Sequence, residues 1–269
     1  MKIGLFVKKA ALRGDVRLGA LLLRLKKGGH EIYPIAERSD LQDGTDIVLS
    51  VGGDGTFLSA SRRVEGTSVP ILGVNLGRLG FLSEYSPEEV VEAMENGSWS
   101  VENRTLLQAF LPDGNIWPYA LNEVTVHRRG AAMLGIRVSI DGNMLPPYWA
   151  DGLVVATSSG STAYSLSVGG PICMPDAKVL IIAPIAPHNL NVRPLVVPDT
   201  SRITIGVISR DPMVTVTLDN RTAEVPSDVT FDVRMAQFSL GRVRLSTSNF
   251  VSALTGKLFW GEDIRNNTV

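Results

Sequence analysis

Apolar positions recur along this chain in two rhythms. Through the first hundred residues, short apolar runs alternate with stretches of helical spacing. KIGLFV (2–7), EIYPIA (31–36), DIVLSV (46–51) and PILGVN (70–75) read as buried strands. Leu18, Leu21, Leu22 and Leu25 recur at the spacing of one helix face. Asp15 precedes that helix as a cap, and Lys26, Lys27 and Gly28 end it where cations and glycine suit a helix terminus. Phe57, Ala60, Ser61 and Val64 give a second helix one apolar face, and SPEE (86–89) is a capping box with proline at the first helical position. Strands alternating with helices predict an α/β domain built on a parallel, helix-covered sheet.

After about Ser100 the period drops to two. LGIRVSIDGNML (134–145) alternates into an Asp-Gly turn, the signal of a hairpin. RITIGVI (202–208), MVTVTLDNRTAEV (213–225), VTFDVRM (229–235) and FSLGRVRLS (238–246) continue in that style, so a mostly antiparallel β domain is expected over 101–248. NFVSALTGKLFW (249–260) reads as a helix returning to the first domain, which then comprises 1–100 and about 249–269. The expected arrangement is two domains with a ligand cleft between them.

Bulk properties narrow the function more than they name it. A chain of 269 residues can bury a core as one large domain or two modest ones. With a net charge of −1 and 20% charged residues, it carries no electrostatic footprint of a nucleic-acid or membrane binder. Its one cysteine, Cys173, cannot bridge within the chain, which fits a reducing compartment. MKIGLFVKKA holds too short an apolar run for a signal peptide, and VLIIAPIAP from Val179 is too short to span a bilayer. A soluble cytoplasmic protein is expected.

The chemistry candidates begin with absences. There is no GxxxxGK[ST], no GxGxxG, no GxSxG and no zinc-like spacing of His or Cys, and His30, His127 and His188 are scattered. What stands out is DIVLSVGGDGTFLSASRRV (46–64): an apolar strand, then Gly52, Gly53, Asp54, Gly55 and Thr56, then a helix. Asp-Gly is a common turn, but this one lies beyond the carboxyl end of a strand, where open α/β sheets bind ligands. Amides there and at the following helix start favour an anion. The loop lacks the lysine of a P-loop, so Asp54 repels phosphate unless it serves a metal or accepts a proton.

GGDGT is shared by NAD kinases and diacylglycerol-type lipid kinases and, with serine for threonine, by phosphofructokinases. The remaining motifs discriminate. GVNLGRLGFL (73–82), LNEV (121–124), DGLVVATSSGSTAYSLSVGGP (151–171), APHNLNVRPLVVP (186–198) and KLFW (257–260) stand in the order found in NAD kinases. The chain thus resembles the ATP-NAD kinase family of bacterial type from about residue 1 to 260. That resemblance implies transfer of the γ-phosphate of ATP to the 2′-hydroxyl of the adenosine ribose of NAD, giving NADP. It makes Asp54 the proton acceptor, Gly52, Gly53, Gly55 and Thr56 the phosphate-donor loop, and a divalent ion, Mg²⁺ with ATP, the cofactor, with no metal ligand assigned. It places Asp54, Gly55, Asn122, Glu123, Asp151, Thr162, Ala163, Tyr164, Ser165, Leu166, Ser167 and Ala186 around NAD. It also implies a homodimer or homotetramer, and neither nucleic-acid nor membrane partners.

Three departures qualify the match, beside one motif that is kept. The family's TPTGSTAY is TSSGSTAY here, with Ser158 in place of proline. Trp149 stands where many relatives have Arg or Lys, two residues before Asp151; it either packs on the dinucleotide or fills a structural seam. Arg221, in Asp219-Asn220-Arg221, replaces the glutamine of a DGQ motif, either taking over its contact with NAD or marking a different turn. Arg193-Pro194 is kept and reads as structural. A lipid kinase is disfavoured by the Asn-Glu and Gly-Ser-Thr-Ala-Tyr motifs, and a non-catalytic dinucleotide sensor by the carboxylate retained in the loop. ATP and inorganic polyphosphate present similar anions to such a loop, so the donor stays open on residues alone.

Overall fold

The computed structural model describes residues 1–77, 80–112 and 116–260. Positions 78 and 79 of GVNLGRLGFL and the last nine residues lie outside the described set. The chain divides into two compact units, Met1–Asn103 with Leu240–Val269, and Arg104–Ser239.

The first unit opens with the alternation read from its sequence: β1 (Lys2–Val7), α1 (Val16–Lys27), β2 (Glu31–Pro34), β3 (Ile47–Val51), α2 (Asp54–Val64), β4 (Ile71–Val74), α3 (Pro87–Asn96) and β5 (Trp99–Arg104). Strands β2, β1, β3 and β4 are neighbours in that order, all paired in parallel. Every residue of β3 and β4 is buried, as expected of strands covered on both faces. The caps are those the sequence specifies. Asp15 accepts from the Arg17 amide, while Ser86 and Glu89 exchange the two hydrogen bonds of a capping box. Leu18, Leu21 and Leu25 of α1 enter one core with Ile3, Leu49, Leu72 and Val90.

The second unit carries β6 (Leu107–Phe110), β7 (Tyr119–Ala120), β8 (Glu123–Arg128), β9 (Leu134–Ile140), β10 (Asn143–Met144), β11 (Tyr148–Ala150), β12 (Gly152–Thr157), a single-turn α4 (Tyr164–Ser167), β13 (Val179–Ile185), β14 (Leu195–Pro198), β15 (Ile203–Ile208), β16 (Met213–Leu218), β17 (Arg221–Pro226) and β18 (Thr230–Met235). They form two antiparallel sheets. One runs β10-β9-β15-β18-β6-β7, with β11 also on β9; the other runs β14-β13-β12-β8-β16-β17. Alternate side chains of both sheets, among them Val126, Val155 and Val216 from one and Ile136, Ile205 and Phe231 from the other, meet in a shared core. The Asp-Gly turn between β9 and β10 has both residues at positive φ, 51° and 86°, as a two-residue hairpin demands. Pro184, inside the apolar run, lies past the last residue that β14 pairs, so its missing N–H interrupts no ladder bond.

One strand departs from the sequence reading. The alternation of 238–246 suggests a further antiparallel strand in the β-rich half. Instead β19 (Leu240–Leu245) lies in the first sheet, between β4 and β5 and parallel to β4. Its pattern misleads because Arg242 does not face water: its side chain is 3% exposed and ion-paired with Glu84 and, at 2.6 Å, with Glu102. After it α5 (Phe250–Leu258), capped by Asn249, packs in the same unit, with the Phe250 ring 6.2 Å from that of Phe81. Among the described residues no helix is long and apolar enough to cross a membrane.

Removing the arginine leaves the mostly buried Glu84 and the partly exposed Glu102 facing each other. Arg242→Met is expected to cost about 3 kcal/mol, toward the lower end for a broken buried pair because Glu102 keeps some solvent. Urea unfolding of the full chain measures it; a loss below about 1 kcal/mol would class the pair with surface ion pairs.

Candidate active site

In the first unit the Gly-Gly-Asp-Gly-Thr segment forms the turn from β3 into α2. Gly52 has φ of 144°, and a Cβ there would sit 2.5 Å from the Thr56 hydroxyl, so glycine is required. Gly53 occupies the N-cap, and its carbonyl accepts from the amides of Thr56 and Phe57 at 2.8 and 3.2 Å. Asp54 is therefore the first helical residue, where the positive end of the helix dipole favours its charge.

Its carboxylate is held by three successive backbone amides. Phe81 donates to Oδ2 at 2.8 Å, while Leu82 and Ser83 donate to Oδ1 at 2.9 Å each. The 80–83 segment can come this close because position 80 is glycine; a Cβ there would lie 1.9 Å from Oδ1 of Asp54. Gly73 of β4 serves in the same way, since a Cβ would meet the Leu82 carbonyl at 2.6 Å. Asn75 ties the loop together, donating to the Ser83 carbonyl and accepting from the Gly77 amide. GVNLGRLGFL is thus the segment that fastens the loop's aspartate, a link invisible in its spacing.

The second unit gathers most of the other candidates. Asn122 and Glu123 open β8, and their backbone is pinned by the carboxylate of Asp219. That group accepts from the amides of Leu121, Asn122 and Glu123 at 2.9, 2.8 and 3.3 Å. Asp219 adopts φ of 52° and is almost wholly buried, which raises its pKa against the opposing pull of these amides. Across from it Thr157 donates to the Leu121 carbonyl at 2.6 Å and accepts from the Gly160 amide. A Cβ at Gly160 would strike the Asn122 carbonyl at 2.2 Å, so the glycine of Gly-Ser-Thr-Ala-Tyr lets the following turn lie on Asn122.

Thr162 and Ala163 continue that turn into α4, which holds Tyr164, Ser165, Leu166 and Ser167. The Tyr164 ring stacks on His127, with centroids 5.6 Å apart and planes at 22°. Burial lowers the His127 pKa and raises that of Tyr164, to which the nearby Glu123 adds. Glu123 itself is pushed up to about 8, first by burial and then by the charge of Asp219, while the Tyr164 amide pulls the other way.

Asp151, between β11 and β12, is ion-paired to Arg128 at 2.8 Å. A cation thus stands beside this carboxylate, contributed by β8 rather than by position 149. Trp149 is 42% exposed and lies across the backbone of Gly135, where a Cβ would be 2.9 Å from the indole. Ala186 follows β13 with φ of 45°, next to Ile185, whose carbonyl accepts from the Asp151 amide. The structure therefore brings together Asn122, Glu123 and Tyr164, and separately Trp149, Asp151 and Ala186, with His127 between the groups on β8. Arg221 points inward: its guanidinium donates to the carbonyls of Leu218 and Tyr119 and faces Asp219. Ser158 is buried and donates to the Pro175 carbonyl at 3.0 Å. His127 and Asp219 are the residues the sequence reading passed over. The one signal for Asp219 was its place in the altered DGQ motif.

Comparison with known proteins covers both units. Residues 34–97 match the model of the ATP-NAD kinase N-terminal domain and residues 121–245 that of the ATP-NAD kinase C-terminal domain. The NAD kinase of Bacteroides fragilis is 45% identical over 98% of this chain and 100% of its own length. That of Porphyromonas gingivalis is 36% identical over 98% and 99%. The crystal structure of an NAD kinase from Archaeoglobus fulgidus in complex with ATP superposes with a TM-score of 0.80 at 29% identity, over 96% of this chain and 99% of that one. Yeast NADH kinase complexed with NADH shares the fold, with a TM-score of 0.85 at 24% identity over 99% and 89%. A lipid kinase sharing only the glycine loop does not account for similarity that runs through both units. The chain belongs to the ATP-NAD kinase family and is a phosphotransferase with NAD kinase activity.

Proposed function

We propose that Asp54 is the base that takes the proton from the 2′-hydroxyl of the adenosine ribose of NAD while that oxygen attacks the γ-phosphorus of ATP. The new bond joins the ribose oxygen to phosphorus. The bond from the γ-phosphorus to the bridging oxygen breaks with its electron pair passing to ADP, and the hydroxyl proton ends on Asp54. The observation that carries this reading is the three-amide clamp. An ionised carboxylate offers about four acceptor positions. Three are filled, two on Oδ1 and one on Oδ2, so one position on Oδ2 is left for a single partner.

Among the described residues no three carboxylate, imidazole or thiol groups stand together as a metal cage. Mg²⁺ would enter with the triphosphate substrate and neutralise phosphate charge. With a loose transition state, the protein's share is chiefly positioning. Gly52, Gly53, Gly55 and Thr56 shape the phosphate-facing turn. Asn122, Glu123, Tyr164 and the segment around Thr162 and Ala163 take one part of NAD. Asp151, Trp149 and Ala186 take another, with the Tyr164 and His127 rings offering flat faces for a base or ribose. Arg221 enters as a brace of the Asn122 turn, its guanidinium being turned to backbone carbonyls.

Asp54→Asn tests the base. The amide keeps one oxygen for Leu82 and Ser83 and loses the bond from Phe81, a cost of about 1 kcal/mol in stability. Turnover is expected to fall at least ~10²-fold while NAD affinity is retained. Turnover near that of the parent would leave Asp54 with positioning alone.

Glu123 gives a pH test. A carboxyl raised to about 8 in the folded state, from an ordinary value of 4.5, favours folding fully below pH 4.5. That contribution is lost as pH climbs through about 8, because the unfolded chain ionises earlier than the folded one. Glu123→Gln removes the dependence. In urea unfolding its stability relative to the parent should rise between pH 5 and pH 9, while its Michaelis constant for NAD increases. A pH-independent stability difference would show that Glu123 is ionised in the fold.

A further inference from the structure

The KLFW segment of the C-terminal helix has no part in the mechanism above, and one of its residues is oddly placed. Lys257 extends from α5 into the first unit with its side chain only 5% exposed. Its ammonium makes no hydrogen bond among the described residues. The nearest carboxylate oxygen, Oε2 of Glu84, is 3.7 Å away, long for a charge-assisted contact. Glu84 does not depend on it. Its other oxygen already takes Arg242 and, at 2.8 Å, the Ser248 hydroxyl. A buried cation lacking a close partner is costly unless it meets an anion the free chain does not supply.

The surroundings say which anion. The Nζ of Lys257 lies 4.5 Å from the centroid of the Phe81 ring, and the amide of that same Phe81 donates to Oδ2 of Asp54 at 2.8 Å. One residue, Phe81, therefore touches the ammonium with its ring and the Asp54 carboxylate with its amide. The Phe81 amide ties this ring to Asp54 in the glycine turn at the start of α2, a place suited to phosphate oxygens. Lysine fits such a role as a compact point charge on a flexible stem.

We propose that Lys257 is a further catalytic residue, whose ammonium contacts the phosphoryl oxygens of the donor beside Asp54 and offsets the charge that develops there during transfer. It supplies from the far end of the chain the charge that a P-loop draws from its own lysine. No bond to lysine forms or breaks. The inference rests on the reading that the Asp54 turn holds the donor triphosphate.

Lys257→Met and Lys257→Arg in the full chain test it, beside Asp54→Asn. Methionine keeps the bulk and removes the charge. Lys257→Met is expected to lower kcat by ~10²-fold or more, as for loss of one preorganised donor to a developing oxyanion. It should also weaken inhibition by inorganic triphosphate, leave the dissociation constant of NAD unchanged and not lower the urea midpoint. Lys257→Arg should restore most of the turnover. A pH readout is independent of folding. Burial lowers the Lys257 pKa from 10.5, with Glu84 and Asp54 opposing and Arg242 reinforcing. The parent should therefore lose kcat on an alkaline limb below that value, and Lys257→Arg should move the limb upward. Unchanged kcat in Lys257→Met overturns the proposal. So does a loss matched by equal falls in urea midpoint and in affinity for both substrates, the signature of a structural ion pair. If Lys257→Met fails to turn over while Asp54→Asn remains active, the base reading falls and this one stands; the reverse result removes only Lys257.

Discussion

An ionised carboxylate leaves water only where donors replace its hydration, and this fold meets that condition twice in the same way. Asp54 is held by the amides of Phe81, Leu82 and Ser83, and Asp219 by those of Leu121, Asn122 and Glu123. Three consecutive amides pointing one way form a cradle for an anion. Each cradle fastens one loop to another that is distant in sequence. In the first unit the clamped carboxylate is the one we propose as the base. In the second it is the fastener, and what it fastens is the backbone of Asn122 and Glu123. The glycines around both sites follow from this. Gly80, Gly73 and Gly160 stand where a single carbon would force the two loops apart.

The same accounting separates two neighbouring cations. Arg242 holds Glu84 and Glu102 with its two terminal nitrogens at short range, an arrangement that locks strand and loop together. Lys257 sits close by with a distant partner and an aromatic face. The two share burial; they differ in the number and length of their contacts. Arg221 resembles Arg242 in making short contacts, donating to two backbone carbonyls beside Asp219.

Most of the architecture was legible where local chemistry decides it. Asp15, Ser86 with Glu89, and the Asp141-Gly142 turn each specify their own geometry within four residues, and each does so in the structure. The strand at 240–245 was not legible, because its alternation assigns Arg242 to solvent. Its partners Glu84 and Glu102 lie 158 and 140 residues away. The loop at 52–56 announced an anion site, but nothing in its spacing named the amides of 81–83 as its clamp. Trp149 shows the limit of substitution logic. No cation stands at 149, yet Asp151 pairs with Arg128 on the neighbouring strand, which only register reveals.

The placement of β19 between β4 and β5 has a bearing on how the chain is made. During synthesis the second unit, a continuous segment, is complete before the ribosome reaches residue 240, whereas the first sheet still lacks an interior strand. Until then the open edge of β4 exposes unpaired backbone, and Glu84 and Glu102 have no arginine between them. An exposed parallel edge of apolar strands invites pairing with another chain. The glycine loop on β3 is among the first segments to be translated, yet the sheet beneath it is finished by nearly the last. A nascent chain can therefore acquire its β-rich unit well before it has a finished platform for phosphoryl transfer.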